Sequence, residues 1–512
     1  DKMELEKNKI SINQIVAQKL DTAICEGDCI VPDIKPDIYN IISASGIVTI
    51  YKKEVMDGKV RIDGGINTYT IYSSEEDGKH EIRAINYVID FSQIENIENA
   101  KADQIAEVNT SLKSVEARIV NERKINVKAM LDFDIKLFAN NQEEFVTGIN
   151  DIQDLQKLER KVTVNSLLGT AKTKAQVKET VSIDGVDNLT EILKVNMDIT
   201  NKDTKISYNK ILAKADAKLK IMYLTEDNRI STVSATLPIM GFIDMENISE
   251  ENVCDMQYEI RNLVIKPNSM QEHSIYVEAE IEITASSYET KEINTIEDLY
   301  SPSRNLSFEQ KQIKAMQNKK IFHDVYSIRE KQLLNIGDEK IYDADVRVNI
   351  DSMRIGNDAI ELSGNVNVTF MHSLNNMTDL GTSVLELPIN YKMSCVGISK
   401  NSQVKIDMSV PLQDFTILPG GEVDVKIDIE FIVDSSLEIK LNEICDVKET
   451  ENSENSGYNM VIYFTKKEDN LWRIAKEFKS TMQIIKESNG LSQDTLTPGM
   501  QLFITKSAGV NA

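Results

Sequence analysis

Four histidines, five cysteines and a surplus of carboxylates are the groups in this 512-residue chain that could do chemistry, and their spacing argues against most of it. His80, His273, His323 and His372 are scattered, and none forms the two-His helical pair with which a zinc hydrolase grips its metal. No Gly-x4-Gly-Lys-Ser/Thr run offers backbone amides to a nucleotide, and no Gly-x-Ser-x-Gly turn presents a nucleophile. Cys25 and Cys29 are the one close pair of thiols, and without a second pair or a nearby His they read as ordinary small residues. Glu75-Glu76-Asp77 lacks the spacing of a calcium loop and reads as the tip of a hairpin. Most other carboxylates alternate with apolar residues, the pattern of a solvated sheet face. The expectation is a protein without catalytic residues, metal or cofactor, and not an enzyme.

Composition narrows the partners. A hydrophobic fraction of 41% is enough to fill folded cores, and the length suggests three or four domains. A formal net charge of −24 argues against nucleic acid, whose phosphates want a basic face. No run of about eighteen apolar residues is present to insert in a bilayer, and no basic-then-apolar leader is seen, so a cytosolic protein is expected. Sparse, odd-numbered cysteines agree with a reducing compartment. Residues 458–506 break the acidic trend, with seven Lys or Arg against five Asp or Glu.

The elements that must position any binding group come from strict alternation. Val423-Asp-Val-Lys-Ile-Asp-Ile-Glu-Phe431 and Ile275-Tyr-Val-Glu-Ala-Glu-Ile-Glu-Ile283 put every apolar side chain on one face. Such strands build antiparallel sheets that pack face to face. The same plan recurs about every 150 residues, with Tyr72 answering Tyr223 and Pro238 answering Pro388. The fold expected is mainly β: three tandem, antiparallel, sandwich-like repeats over residues 1–156, 157–297 and 298–445, with short helices at 11–20, 151–161 and 308–316. Residues 446–457, DVKETENSENSG, are acidic and without apolar periodicity, so they read as a tether that lets the last module range over about 20 Å.

That last module, 458–506, is organised differently. Met460–Phe464 is a short β-branched and aromatic run. Leu471, Ile474, Ala475 and Phe478 then recur at helical spacing behind an N-cap at Asp469 or Asn470. A second helix starting after Ser480 or Thr481 stops at Asn489-Gly490, and Pro498-Gly499 turns into a final strand at 501–504. Trp472 is either core or a contact anchor, the role for which tryptophan is enriched at interfaces. Lys466 and Lys467 are loop charges placed to meet an acidic partner, and one face of the strand bearing Ile462 is open to a partner.

The wording YFTKKEDNLWRIAKEF, IIKESNGL and LTPGMQLFIT, in a β-α-α-β order, resembles a LysM domain. The resemblance implies a binding module, most often for N-acetylglucosamine glycans such as peptidoglycan. Its groove lies between loop 465–470 and the pair of segments 489–491 and 497–499, so the implied contact residues include Lys466, Lys467, Asp469, Asn470, Asn489, Gly490, Leu491, Pro498 and Gly499. The family's first loop usually reads Gly-Asp-Thr, whereas here Glu468-Asp469-Asn470 sets a negative side chain where backbone normally faces the sugar. Upstream, VPDIKPDIYNII followed by GKVRIDGGINTYTIYSSEEDGK resembles the SPOCS domain of spore-coat proteins in endospore-forming bacteria. SPOCS repeats ahead of a LysM domain are similar to a family of spore-coat morphogenetic proteins of clostridia. That resemblance implies a protein of the mother-cell cytoplasm, at the forespore surface, that binds the basement-layer ATPase SpoIVA and other coat proteins. Peptidoglycan binding by the same groove is the alternative.

Overall fold

The computed structural model describes residues 3–336, 340–374, 379–451 and 459–507. Six strands make the first unit: β1 (Leu5–Ile30), β2 (Asn40–Met56), β3 (Lys59–Glu76), β4 (Lys79–Asn96), β5 (Ile105–Asn121) and β6 (Lys124–Ile149). They form two antiparallel three-stranded sheets, β2-β3-β4 and β1-β6-β5. The two sheets pack face to face because alternation in β6 buries Ile125, Val127, Ala129, Leu131 and Ile135, and β3 returns Val60, Ile62, Ile66 and Tyr72. Asp77 and Gly78, both at positive φ, make the two-residue turn between β3 and β4.

The same order repeats twice. The second unit is β7 (Gln156–Ser182), β8 (Leu189–Ser207), β9 (Lys210–Thr225), β10 (Ile230–Asp244), β11 (Val253–Pro267) and β12 (Ser274–Tyr300). The third is β13 (Leu306–Leu333), β14 (Ile341–Ile355), β15 (Ala359–Leu374), β16 (Asp379–Ser394), β17 (Gln403–Leu418) and β18 (Glu422–Glu449). Sheets β8-β9-β10 and β7-β12-β11, then β14-β15-β16 and β13-β18-β17, reproduce the first pair. Pro238 and Pro388 sit on β10 and β16, each an outer strand of its sheet, where a missing N–H costs little.

In each unit the first and last strands outrun their neighbours as a two-stranded arm: 5–14 against 139–149, 156–167 against 288–300, and 306–317 against 437–449. The three arms meet one another. Ile12 and Phe145 of the first, Val162, Val164 and Ile293 of the second, and Ile313, Ala315 and Leu441 of the third share one core. Nearer the tips Val146, Ile149, Ile296, Leu299, Ile444 and Val447 share another. At the opposite end Ile71, Met222 and Met371, which occupy matching places in the three units, meet in a third common core. Ion pairs stitch the same junctions: Lys35 to Glu191, Lys53 to Glu259, Lys405 to Glu107, and Lys202 to Asp407 at 2.6 Å. The trunk is thus three similar units closed around an axis.

The helices expected at 11–20, 151–161 and 308–316 are not formed. Residues 11–20 lie in β1, 308–316 lie in β13, and 151–155 lead by turns into β7, which starts at Gln156. Pairing with strands over a hundred residues away, such as Ile12 with Asn141 and Phe308 with Val447, outweighs local preference. Glu297 falls within β12 and Cys445 within β18, each the extra residue of a bulge near an arm tip.

The chain ends in a separate small fold: β19 (Met460–Phe464), α1 (Leu471–Glu477), α2 (Met482–Asn489) and β20 (Gln501–Thr505), with β19 and β20 antiparallel. Leu471, Ile474, Ala475, Ile485, Leu502 and Ile504 are its core. Of the expected tether, 446–449 finish β18 and 452–457 lie outside the described residues, as does Tyr458.

Candidate functional site

The reactive groups stay apart. His273 Nδ1 lies 2.6 Å from the Asp187 carbonyl, His323 Nε2 lies 3.0 Å from Glu430, His372 bonds Ser383, and the His80 ring meets Tyr39 edge-on. Cys25 and Cys29 sit four residues apart on β1, about 13 Å along a strand, too far to share a metal. Burial pushes both thiols up. Among the described residues, Glu107, Asp255 and Asp434 bring carboxylate oxygens within 4.8 Å of one another, and the latter two line a cavity of about 660 Å³ where the three units meet. Lysines already answer two of them: Lys405 meets Glu107, and Lys319 Nζ lies 2.7 Å from Asp434.

The C-terminal fold is built by local hydrogen bonds that fix its two loops. Asn470, not Asp469, caps α1, its side-chain oxygen accepting from the Arg473 N–H at 2.8 Å. Asp469 instead closes loop 465–470, accepting from the Lys466 N–H and the Tyr463 hydroxyl, both at 2.7 Å. Those two bonds hold its carboxyl below the usual range. Thr481 caps α2, and Gly490 ends it at φ 62°. Asn489 ties α2 to the last strand, donating to the Phe503 carbonyl at 2.8 Å and accepting from its N–H at 2.7 Å. Thr465 joins the loops, its hydroxyl donating to the Thr497 carbonyl at 2.6 Å while its own carbonyl accepts from the Gly499 N–H at 2.7 Å.

These bonds sort the expected contact residues. Asp469, Asn470 and Asn489 spend polar side-chain atoms on the fold itself, whereas Lys466, Lys467, Gly490, Pro498 and Gly499 are exposed and Leu491 is half-buried against the core. Ile462 is exposed, and it is not alone. Met460, Ile462 and Phe464 project from the outer face of β19, and Phe503, paired with Ile462, projects beside them from β20. This apolar row next to Lys466 and Lys467 was legible only in part, because Phe503 joins it through strand pairing.

Trp472 is neither plain core nor a free anchor. Its indole N–H donates to Asp298 Oδ2 at 2.8 Å, and its ring stands edge-on to Tyr300, with centroids 5.0 Å apart. Lys476 Nζ meets the other oxygen of Asp298 at 2.5 Å, and Lys479 Nζ donates to Asn305 at 2.8 Å. The Tyr300 hydroxyl donates to the Ser480 carbonyl at 2.8 Å, and burial with the Asp298 charge nearby pushes that hydroxyl's pKa up. The freely ranging module expected from the tether composition is therefore corrected: it is seated on the tip of the second arm.

Comparison with known families finds two domain types in the chain. The family model described as SipL, SPOCS domain, matches residues 37–120 and 188–268, which span β2 to β5 and β8 to β11. The LysM domain model matches residues 463–505. No curated protein and no solved structure matches the chain. The third unit repeats the strand order of the two matched ones. The chain thus joins SPOCS regions of the SipL kind to a C-terminal LysM domain.

Proposed function

We propose that this protein is a non-enzymatic assembly protein of the spore coat, which docks through its LysM domain onto the basement-layer ATPase SpoIVA and helps localise coat to the forespore surface from the mother-cell cytoplasm. SPOCS and LysM domains are scaffold and binding types, and together they mark a coat-associated protein with a binding module. The observation that carries the finer reading is the outward row of Met460, Ile462, Phe464 and Phe503 beside Lys466 and Lys467. Apolar side chains so grouped and rimmed by charge suit a protein surface better than a sugar. Glu468, exposed on the groove loop, points the same way. Effective concentration favours the arrangement, since a trunk making weak contacts with coat proteins raises the local level of the module.

The test is capture of purified SpoIVA by the full chain and by Ile462→Glu. Placing a charge within the row should weaken capture about tenfold or more, as at an interface hot spot, without changing the circular dichroism. Glycan binding is the second reading, favoured by the LysM match itself. Tight retention of the full chain on chitin oligomers or peptidoglycan, with no capture of SpoIVA, would replace the first reading with the second.

A further inference from the structure

We infer that the tip of the second arm is a built-in ligand for the LysM domain: Asp298 and Tyr300 clamp the α1 face, and Trp472 with it, so that this face is withheld from a partner until the clamp opens. This rests on the reading above in taking the module as the part that binds a partner. The site is specific to one arm. One residue past the tip bulge the three arms carry Gly148, Asp298 and Asp446, and two residues further Asn150, Tyr300 and Lys448. Only the second sets an anionic acceptor beside an aromatic ring. Both Asp298 oxygens are used, one by the indole N–H and one by the Lys476 ammonium. Tyr300 packs into the module's own core, 6% exposed, although it belongs to the trunk. Lys476 also lies over the Phe308 ring of the third arm, at 5.3 Å from its centre.

The two faces of the module then have different standing. Ile462 and its neighbours are open while the clamp is shut and give the partner its first hold, whereas completing the contact through Trp472 requires the partner to displace Asp298 and Tyr300. A binding-competent state populated only in part lowers apparent affinity by that fraction. Removing the clamp should therefore strengthen capture.

Trp472 is the one tryptophan of the chain, so its fluorescence reports the clamp directly. In the full-length protein, Asp298→Ala removes both acceptors, and Tyr300→Leu removes the ring and hydroxyl while keeping apolar bulk. Each should shift emission to the red and raise acrylamide quenching about threefold, and each should raise capture of purified SpoIVA about fivefold, the scale of losing charge-assisted hydrogen bonds from a closed state. Unchanged quenching in both variants overturns the clamp. Increased quenching with equal or weaker capture overturns its masking role and makes the contact a fixed mount. If neither wild type nor variants capture SpoIVA, the partner assignment fails, and quenching alone still decides whether the clamp exists.

Discussion

Lys194→Met is the sharpest probe of whether the trunk is one body. Lys194, on β8 of the second unit, is 5% exposed, and its ammonium lies 2.8 Å from Asp343 of the third unit and also meets Asp345. Asp343 is 3% exposed and keeps a second cation, Lys220, at 2.6 Å. Burial alone would lower the lysine pKa, but the two carboxylates more than reverse that and leave it above its ordinary value. Burial likewise pushes Asp343 up, and Lys194 with Lys220 outweighs it and brings the carboxyl below the usual range. Methionine fills much the same volume, so the loss is electrostatic rather than a cavity. Breaking a buried pair costs about 3–5 kcal/mol, and because Lys220 stays in place a smaller loss, about 2–3 kcal/mol, is expected at pH 7. Because the folded carboxyl is depressed, its contribution is present above the unfolded value near 3.9 and is lost as pH falls through the folded one. In the variant the carboxyl titrates at higher pH, so the difference should shrink as pH falls and be gone only below the depressed wild-type value. Urea unfolding followed by both circular dichroism and tyrosine absorbance, which reports packed rings such as Tyr72, Tyr223 and Tyr391 in all three units, measures this, with coincident transitions as the check on one cooperative body. A loss under about 0.5 kcal/mol at pH 7, or a shift confined to one of two separate transitions, would refute the reasoning.

Two further outcomes follow from local geometry. Asp255, beside the central cavity, is pushed up to about 6, first by burial and then by the Asp434 carboxylate. A raised folded value means that stability falls as pH climbs from about 4 to 6; Asp255→Asn should therefore stabilise by about 1–2 kcal/mol at pH 7.5, discounted for water in the cavity, and by nothing below about pH 4, as read from urea midpoints. Gly490→Ala forces an L side chain to φ 62° at the end of α2, where nothing crowds the added carbon. Backbone strain alone should cost about 1 kcal/mol, seen as earlier amide exchange in α2.

Much of the trunk was legible because its alternation is strict. Val423 to Val433 reads as one buried face in the sequence and is one in the structure, every second residue fully covered. The 150-residue period likewise places Tyr72 and Tyr223 at matching buried sites, the first donating to the Pro36 carbonyl and the second to Asp187. What alternation does not encode is which faces meet across units. Ile12, Val164 and Ile313 look like ordinary members of mixed segments, and their common core exists only after three arms are brought together. The same holds for the module. The β-α-α-β order and the α2 stop at Gly490 follow from local signals, whereas the fate of Trp472 is decided by Asp298, 174 residues away, in a stretch with no signal of its own.

The pairing of each unit's first strand with its last carries a consequence for biosynthesis. Leu5 finds its partner only when Ile149 has been made, and Gln156 and Leu306 wait as long for Tyr300 and Glu449. Each opening strand therefore leaves the ribosome as an orphan with unpaired edges, the state in which β-rich chains are most prone to clump. The LysM domain, made after all three units, finds its seat only once β7 and β12 have zipped together. A correctly parked LysM domain is in that sense a receipt that the middle of the chain has finished folding.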